Sequence, residues 1–67
     1  MEKLNNRLRV LRAEKDMSQE ALAKAVGVSR QTIVAIEGDD YSPSVLLALK
    51  IAAYFGKKME EVFFLGK

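Results

Sequence analysis

Ser18 to Glu37, SQEALAKAVGVSRQTIVAIE, is the stretch whose reading decides the fold. Ser18 and Ser29 each precede a run with helical spacing, where a serine hydroxyl accepts an otherwise unpaired backbone N–H. Gly27 lies between the runs. Glycine takes the left-handed conformation that closes a helix C-terminus, so the chain is expected to turn sharply there. Leu22 and Val26 share one face of the first run, and Ile33 and Ile36 share one face of the second. Ala23 is small where two steeply crossed helices approach, and Val28 is apolar inside a polar turn. The pattern predicts two short helices joined by a turn of about three or four residues.

That outline is a helix-turn-helix. At roughly 100° per residue from Arg30, Ile33 and Ile36 point inward while Arg30, Gln31, Val34 and Ala35 point outward. The outer face is poor in the Glu and Lys that ordinarily solvate an exposed helix. It carries a guanidinium suited to guanine or phosphate, an amide suited to adenine, and small apolar groups suited to a thymine methyl. The same residues also suit an ordinary surface helix. Their place in the first turn of the second helix, where such motifs touch base edges, favours the first reading.

The 67 residues make one small domain, near the lower limit for folding on a single core. With no cysteine and no histidine, a disulfide framework and a Cys/His zinc site are both excluded. No apolar run approaches the ~18 residues of a membrane span, and the charged N-terminus lacks a signal-peptide core. A cytoplasmic address is the expectation. Net charge is +2, unevenly placed: residues 1–30 hold seven Lys/Arg against four Asp/Glu, and residues 31–67 hold four against five. The basic half includes the start of the helix assigned to the groove. Catalysis is not expected, because the paired carboxylates Asp39-Asp40 and Glu60-Glu61 are adjacent in sequence and do not converge on one point. No cofactor, metal or small-molecule effector is indicated.

Along the chain, Met1 to Lys3 reads as a frayed lead. Asn5 or Asn6 caps a first helix running to about Lys15, with Leu4 stapling back and Leu8 and Leu11 facing in. Arg12 reads either as a solvated helix charge or as the partner of Glu37 in an ion pair locking the first helix to the third, where a bidentate geometry favours Arg over Lys. Met17 covers the core edge, and Gln19 opens the second helix. There the free N–H groups and the helix dipole favour a phosphate against Ser18 and Gln19. Gly38, Asp39 and Asp40 end the third helix. Ser42 is read as a cap with Pro43 at the first position of a fourth helix, which runs to about Phe55 and stops at Gly56. Its stripe Val45, Ala48, Leu49, Ala52 and Phe55 is expected to face the core, and Leu47, Ile51 and Tyr54 a second surface, covered either by a fifth helix and the tail or by a second copy of the chain. A short fifth helix covers Met59 to Phe63, with Phe64 and Leu65 as an apolar tail. Leu47, Ile51, Tyr54, Met59, Phe63, Phe64 and Leu65 are therefore expected to form a symmetric dimer contact, with residues 59–67 contributing to dimerisation.

The segments NRLRVLRAEKDMSQEALAKAVGVSRQTI, Ile36-Glu37, YSPSVLLALKIA and EEVF make the chain resemble the phage-repressor/Cro-like (XRE-type) helix-turn-helix regulators, from Asn6 to Phe63. The resemblance implies an all-α, compact five-helix bundle of the lambda-repressor-like type, in a minimal member of the family with a single domain over residues 1–67. It implies a homodimer on a palindromic double-stranded DNA operator, repressing transcription with its third helices in the major groove. Ser29, Arg30, Gln31 and Ala35 fall where the family contacts bases, with Val34 adjacent. Ser18, Gln19, Thr32, Gly38, Tyr41 and Ser42 fall at or beside its phosphate contacts, and Arg12 and Glu37 match its interhelix ion pair. Two features depart from the pattern: Gly38-Asp39-Asp40 puts carboxylates near a phosphate strand, and Lys57-Lys58 replaces the usual cap of the fifth helix. Two other roles fit the same sequence. One is an antitoxin or restriction-modification controller, and the other a protein-interaction module without DNA binding.

Overall fold

The computed structural model describes residues 3–66. Its elements in chain order are β1 (Lys3–Asn6), α1 (Leu8–Glu14), α2 (Gln19–Val26), α3 (Arg30–Glu37), α4 (Val45–Phe55), α5 (Met59–Val62) and β2 (Phe63–Gly66). The five helices enclose one core in which Leu8, Leu22, Ile33, Ile36, Ile51 and Val62 are fully buried. Burial of each such side chain contributes about 1.5–3 kcal/mol. Leu4, Met17, Val28 and Met59 close its margins.

The helix boundaries follow from caps visible in the sequence. Ser18 Oγ accepts from Ala21 N–H at 3.0 Å, and Ser29 Oγ from Thr32 N–H at 3.2 Å. Gly27, at φ 78°, and Gly56, at φ 65°, end α2 and α4 in the left-handed region. Asn6 Oδ1 accepts from Leu8 N–H at 3.1 Å at the head of α1. α4 starts later than expected. Its cap is Ser44, which accepts from Leu47 N–H at 3.1 Å, while residues 41–44, outside any helix or strand, carry the chain from α3 to α4. α5 has no hydroxyl cap, but Glu61 accepts from Lys58 N–H at 2.8 Å and supplies one half of a capping box.

Three expectations are corrected. The chain contains strands: β1 and β2 pair antiparallel, with Lys3 opposite Gly66 and Asn6 opposite Phe63. Lys3 therefore lies in a strand, while Met1 and Glu2 lie outside the described residues. The apolar tail is a strand, not a helical extension, because Phe63 must turn into the core while Arg7 N–H bonds Val62 O at 2.9 Å. The faces of α4 also differ. Leu47, Ala48, Ile51, Ala52 and Phe55 are buried, whereas Val45 and Leu49 are exposed. The direction of the core falls between the two stripes read from sequence, each of which holds part of it. Leu47, Ile51 and Phe63 thus belong to the interior of the monomer and are not available to a second copy.

Candidate nucleic-acid interface

α3 is held from behind and left open in front. Ile33 and Ile36 are buried, while Arg30, Gln31 and Val34 are exposed and Ala35 is half-buried. α2 packs against α3, and Ala23 on α2 is only 2 % exposed. The large side chains of α3 therefore anchor it without occupying its outer face.

Polar contacts fix the rear end of the same helix. Arg12 Nε donates to Glu37 Oε2 at 2.6 Å and Nη2 to Glu37 Oε1 at 2.9 Å, a two-pronged pair. Arg12 Nη1 also donates to Met17 O at 3.0 Å, so one guanidinium ties the α1–α2 turn to the last residue of α3. Gln19 Nε2 donates to Glu37 Oε1 at 3.2 Å, and Arg9 Nε lies 3.8 Å from the same oxygen. The Glu37 side chain is 1 % exposed. Burial alone would push its carboxyl up, but hydrogen bonds from Arg12 and Gln19 and the charges of Arg12 and Arg9 hold it below the usual carboxylate range. The hydrogen bond to Glu37 raises Arg12 despite its burial. Asn6 adds a second latch, its Nδ2 donating to Ile36 O at 2.8 Å.

Most of the expected contact residues line two shallow depressions. Ser18, Gln19 and Arg30 line a shallow cleft with Glu20, Ala21 and Lys24 at the head of α2. Ser29, Gln31, Thr32, Ala35 and Tyr41 line a second. Tyr41 and Ser42 are exposed on the chain leading to α4, and Gly38 is exposed at the end of α3. Some of these groups already have work within the chain. Ser18 and Ser29 are caps, Ser29 Oγ and Thr32 Oγ1 lie 3.0 Å apart, and the Gln19 amide is spent on Glu37. Arg30, Gln31, Val34 and Ala35 form the uncommitted outer surface. Sequence reasoning missed Lys24, which adds a cation to the cleft and lies 3.8 Å from Glu20, at the i, i+4 spacing. It also missed the latch by Asn6, a contact across 30 residues that no local spacing reveals.

A helix presented this way, on a glycine-turned pair of helices, defines a helix-turn-helix domain. The helix-turn-helix family model matches residues 8–62, and the chain belongs to that family, in its Cro/C1-type branch. Its relatives include YgzD of Bacillus subtilis, an uncharacterized HTH-type transcriptional regulator, 55 % identical over 92 % of this chain and 94 % of that protein. An uncharacterized regulator of Methanocaldococcus jannaschii is 53 % identical over 90 % of this chain and 91 % of its own length. Among solved structures, the restriction-modification controller protein C.AhdI of Aeromonas hydrophila superposes with a TM-score of 0.73 at 33 % identity, over 81 % of this chain and 78 % of that one. No helix among the described residues is long and apolar enough to cross a membrane.

Proposed function

We propose that this chain is a sequence-specific regulator of transcription that binds double-stranded DNA as a homodimer, one α3 in each of two successive major grooves, and represses by occupying its operator. The observation that carries the reading is the open face of α3. Arg30 and Gln31 are exposed in its first turn, while Ile33, Ile36 and the Glu37 latch hold the helix rigid from behind. Arg30 suits guanine O6 and N7, Gln31 suits adenine N6 and N7, and Val34 with Ala35 suits a thymine methyl. The N–H groups at the head of α2, with Lys24, face a phosphate, and Thr32, Tyr41 and Ser42 lie where the flanking backbone would pass.

Asp39 and Asp40 oppose this in part. Both are exposed, and each carboxylate near a phosphate costs roughly 1 kcal/mol in water. The loop from Gly38 to Ser42 therefore contributes less affinity than α3 and the head of α2. A restriction-modification controller is the second reading, favoured by the likeness to C.AhdI, and it uses the same DNA contacts.

The test is selection of bound duplexes from a random pool, repeated with Arg30→Ala. The wild-type chain should enrich a two-fold-related sequence, and the variant should lose preference at one base pair per half-site, at a cost of about 1–3 kcal/mol. Enrichment that is indifferent to Arg30 and Gln31 would overturn the assignment of α3.

A further inference from the structure

α4 leaves one side bare. Val45, Leu46, Leu49 and Tyr54 are 71, 67, 50 and 42 % exposed, and exposed Ala53 completes a stripe broken only by Lys50. The stripe lies opposite the buried residues of the same helix. A helix apolar on all sides is normally covered on all sides. The flanks of α4 are charged in opposite senses: Asp39-Asp40 stand before it and Lys57-Lys58 after it. All four are exposed, and among the described residues none forms an ion pair.

We infer that α4 packs against α4 of a second copy, antiparallel, about a two-fold axis near Leu49 and Lys50, with the acidic flank of each copy facing the basic flank of the other. The inference rests on the dimeric DNA-binding reading and assigns its interface. An isologous contact must complement itself, and this surface does so. Pairing about the midpoint between Leu49 and Lys50 sets Val45 against Tyr54, Leu46 against Ala53 and Leu49 beside the alkyl stem of Lys50, whose ammonium reaches solvent. A parallel pairing would set aspartate on aspartate and lysine on lysine. Antiparallel pairing converts both repulsions into attractions and aligns the helix dipoles favourably. The two departures from the family pattern, Asp39-Asp40 and Lys57-Lys58, thereby become two halves of one device. The expected tail contact is weaker, because Phe63 is in the core and Arg7 stacks over Phe64 at 5.2 Å, leaving Leu65 as the one fully projecting apolar group. An 11-residue helix is about 16 Å long, so the contact lies at the small end of specific interfaces and dissociates readily without DNA.

The experiment is sedimentation equilibrium of the full chain without DNA, at low salt and over a range of concentrations, with circular dichroism confirming that each variant folds. The wild-type chain should dimerise, and Leu49→Lys should weaken dimerisation at least tenfold, whereas Leu65→Lys should not. The reversed pairs Asp39→Lys/Asp40→Lys and Lys57→Asp/Lys58→Asp should each weaken it as homodimers. Mixing the two reversed chains should restore association, since both ends then carry opposite charges. Failure of the mixture to associate, or loss of the dimer through Leu65→Lys in place of Leu49→Lys, overturns the assignment. A chain that stays monomeric at every concentration, yet binds selected duplexes through Arg30, overturns the α4 pairing and leaves the DNA-binding reading standing.

Discussion

Glu37 carries more of this structure than its single charge suggests. It takes hydrogen bonds from Arg12 and Gln19 at the end of the helix assigned to the groove. Its carboxyl is held below the usual range, so its contribution is complete above the unfolded value of about 4.3 and is lost as pH falls through the lower folded value. Glu37→Gln should cost about 3 kcal/mol in urea unfolding at neutral pH, by leaving the Arg12 guanidinium without its counter-charge. The gap between wild type and variant should narrow as pH is lowered through that window. A constant gap would mean that packing, not charge, sets the effect. Asp16 offers a test in the opposite direction. It sits at φ 52°, and Asp16→Gly should raise stability by about 0.5–1 kcal/mol in thermal unfolding, since glycine enters that region without steric cost. The pairing of Arg12 with Glu37 was expected from the sequence only with the help of the family resemblance. The Asn6 latch onto Ile36 was not, because nothing in the neighbourhood of Asn6 distinguishes a cap from a cap that also reaches another helix.

Among the elements, legibility tracked amphipathicity. α2 and α3 have one apolar face each, so Leu22, Val26, Ile33 and Ile36 were placed inside and Arg30, Gln31 and Val34 outside from spacing alone. α4 is apolar at every position except Lys50, and a helix without a polar face gives no direction from which to choose its core side. That is why spacing alone puts Val45 and Leu49 on a core stripe and leaves Leu47 and Ile51 to a second surface whose cover stays open. The terminal strands were missed for a related reason: a four-residue strand carries too little alternation to be seen, and its partner lies at the other end of the chain. The turn between α2 and α3 supports its own prediction. A Cβ on Gly27 would meet nothing within 4 Å, so the cost of Gly27→Ala is conformational and should be about 1–2 kcal/mol in thermal or urea unfolding. A larger loss would point to a shift of α3 itself, which the binding of selected duplexes would also report.

For the molecule as a whole, the expected consequence of two α3 helices on one duplex is a strict dependence on spacing and salt. Half-sites should lie about one helical turn, roughly 34 Å, apart. Inserting five base pairs between them, which turns one half-site to the opposite side of the duplex, should abolish high-affinity binding in a gel-shift titration. Affinity should fall by about 10³-fold or more between 50 and 200 mM salt if the dimer neutralises six or more phosphates. An affinity independent of salt would remove the phosphate contacts from the account.

The β1–β2 ribbon brings Lys3 opposite Gly66. Neighbouring strands stand only about 5 Å apart, so a bridge of a few residues between these two positions would convert the polypeptide into a closed ring without disturbing any helix. Ring closure removes freedom from the unfolded chain and leaves the folded one as it was, so the ring should melt at a higher temperature than the open chain. The same neighbourhood makes this small regulator a natural insert: a host protein could carry it in a single surface loop, entering at β1 and leaving at β2.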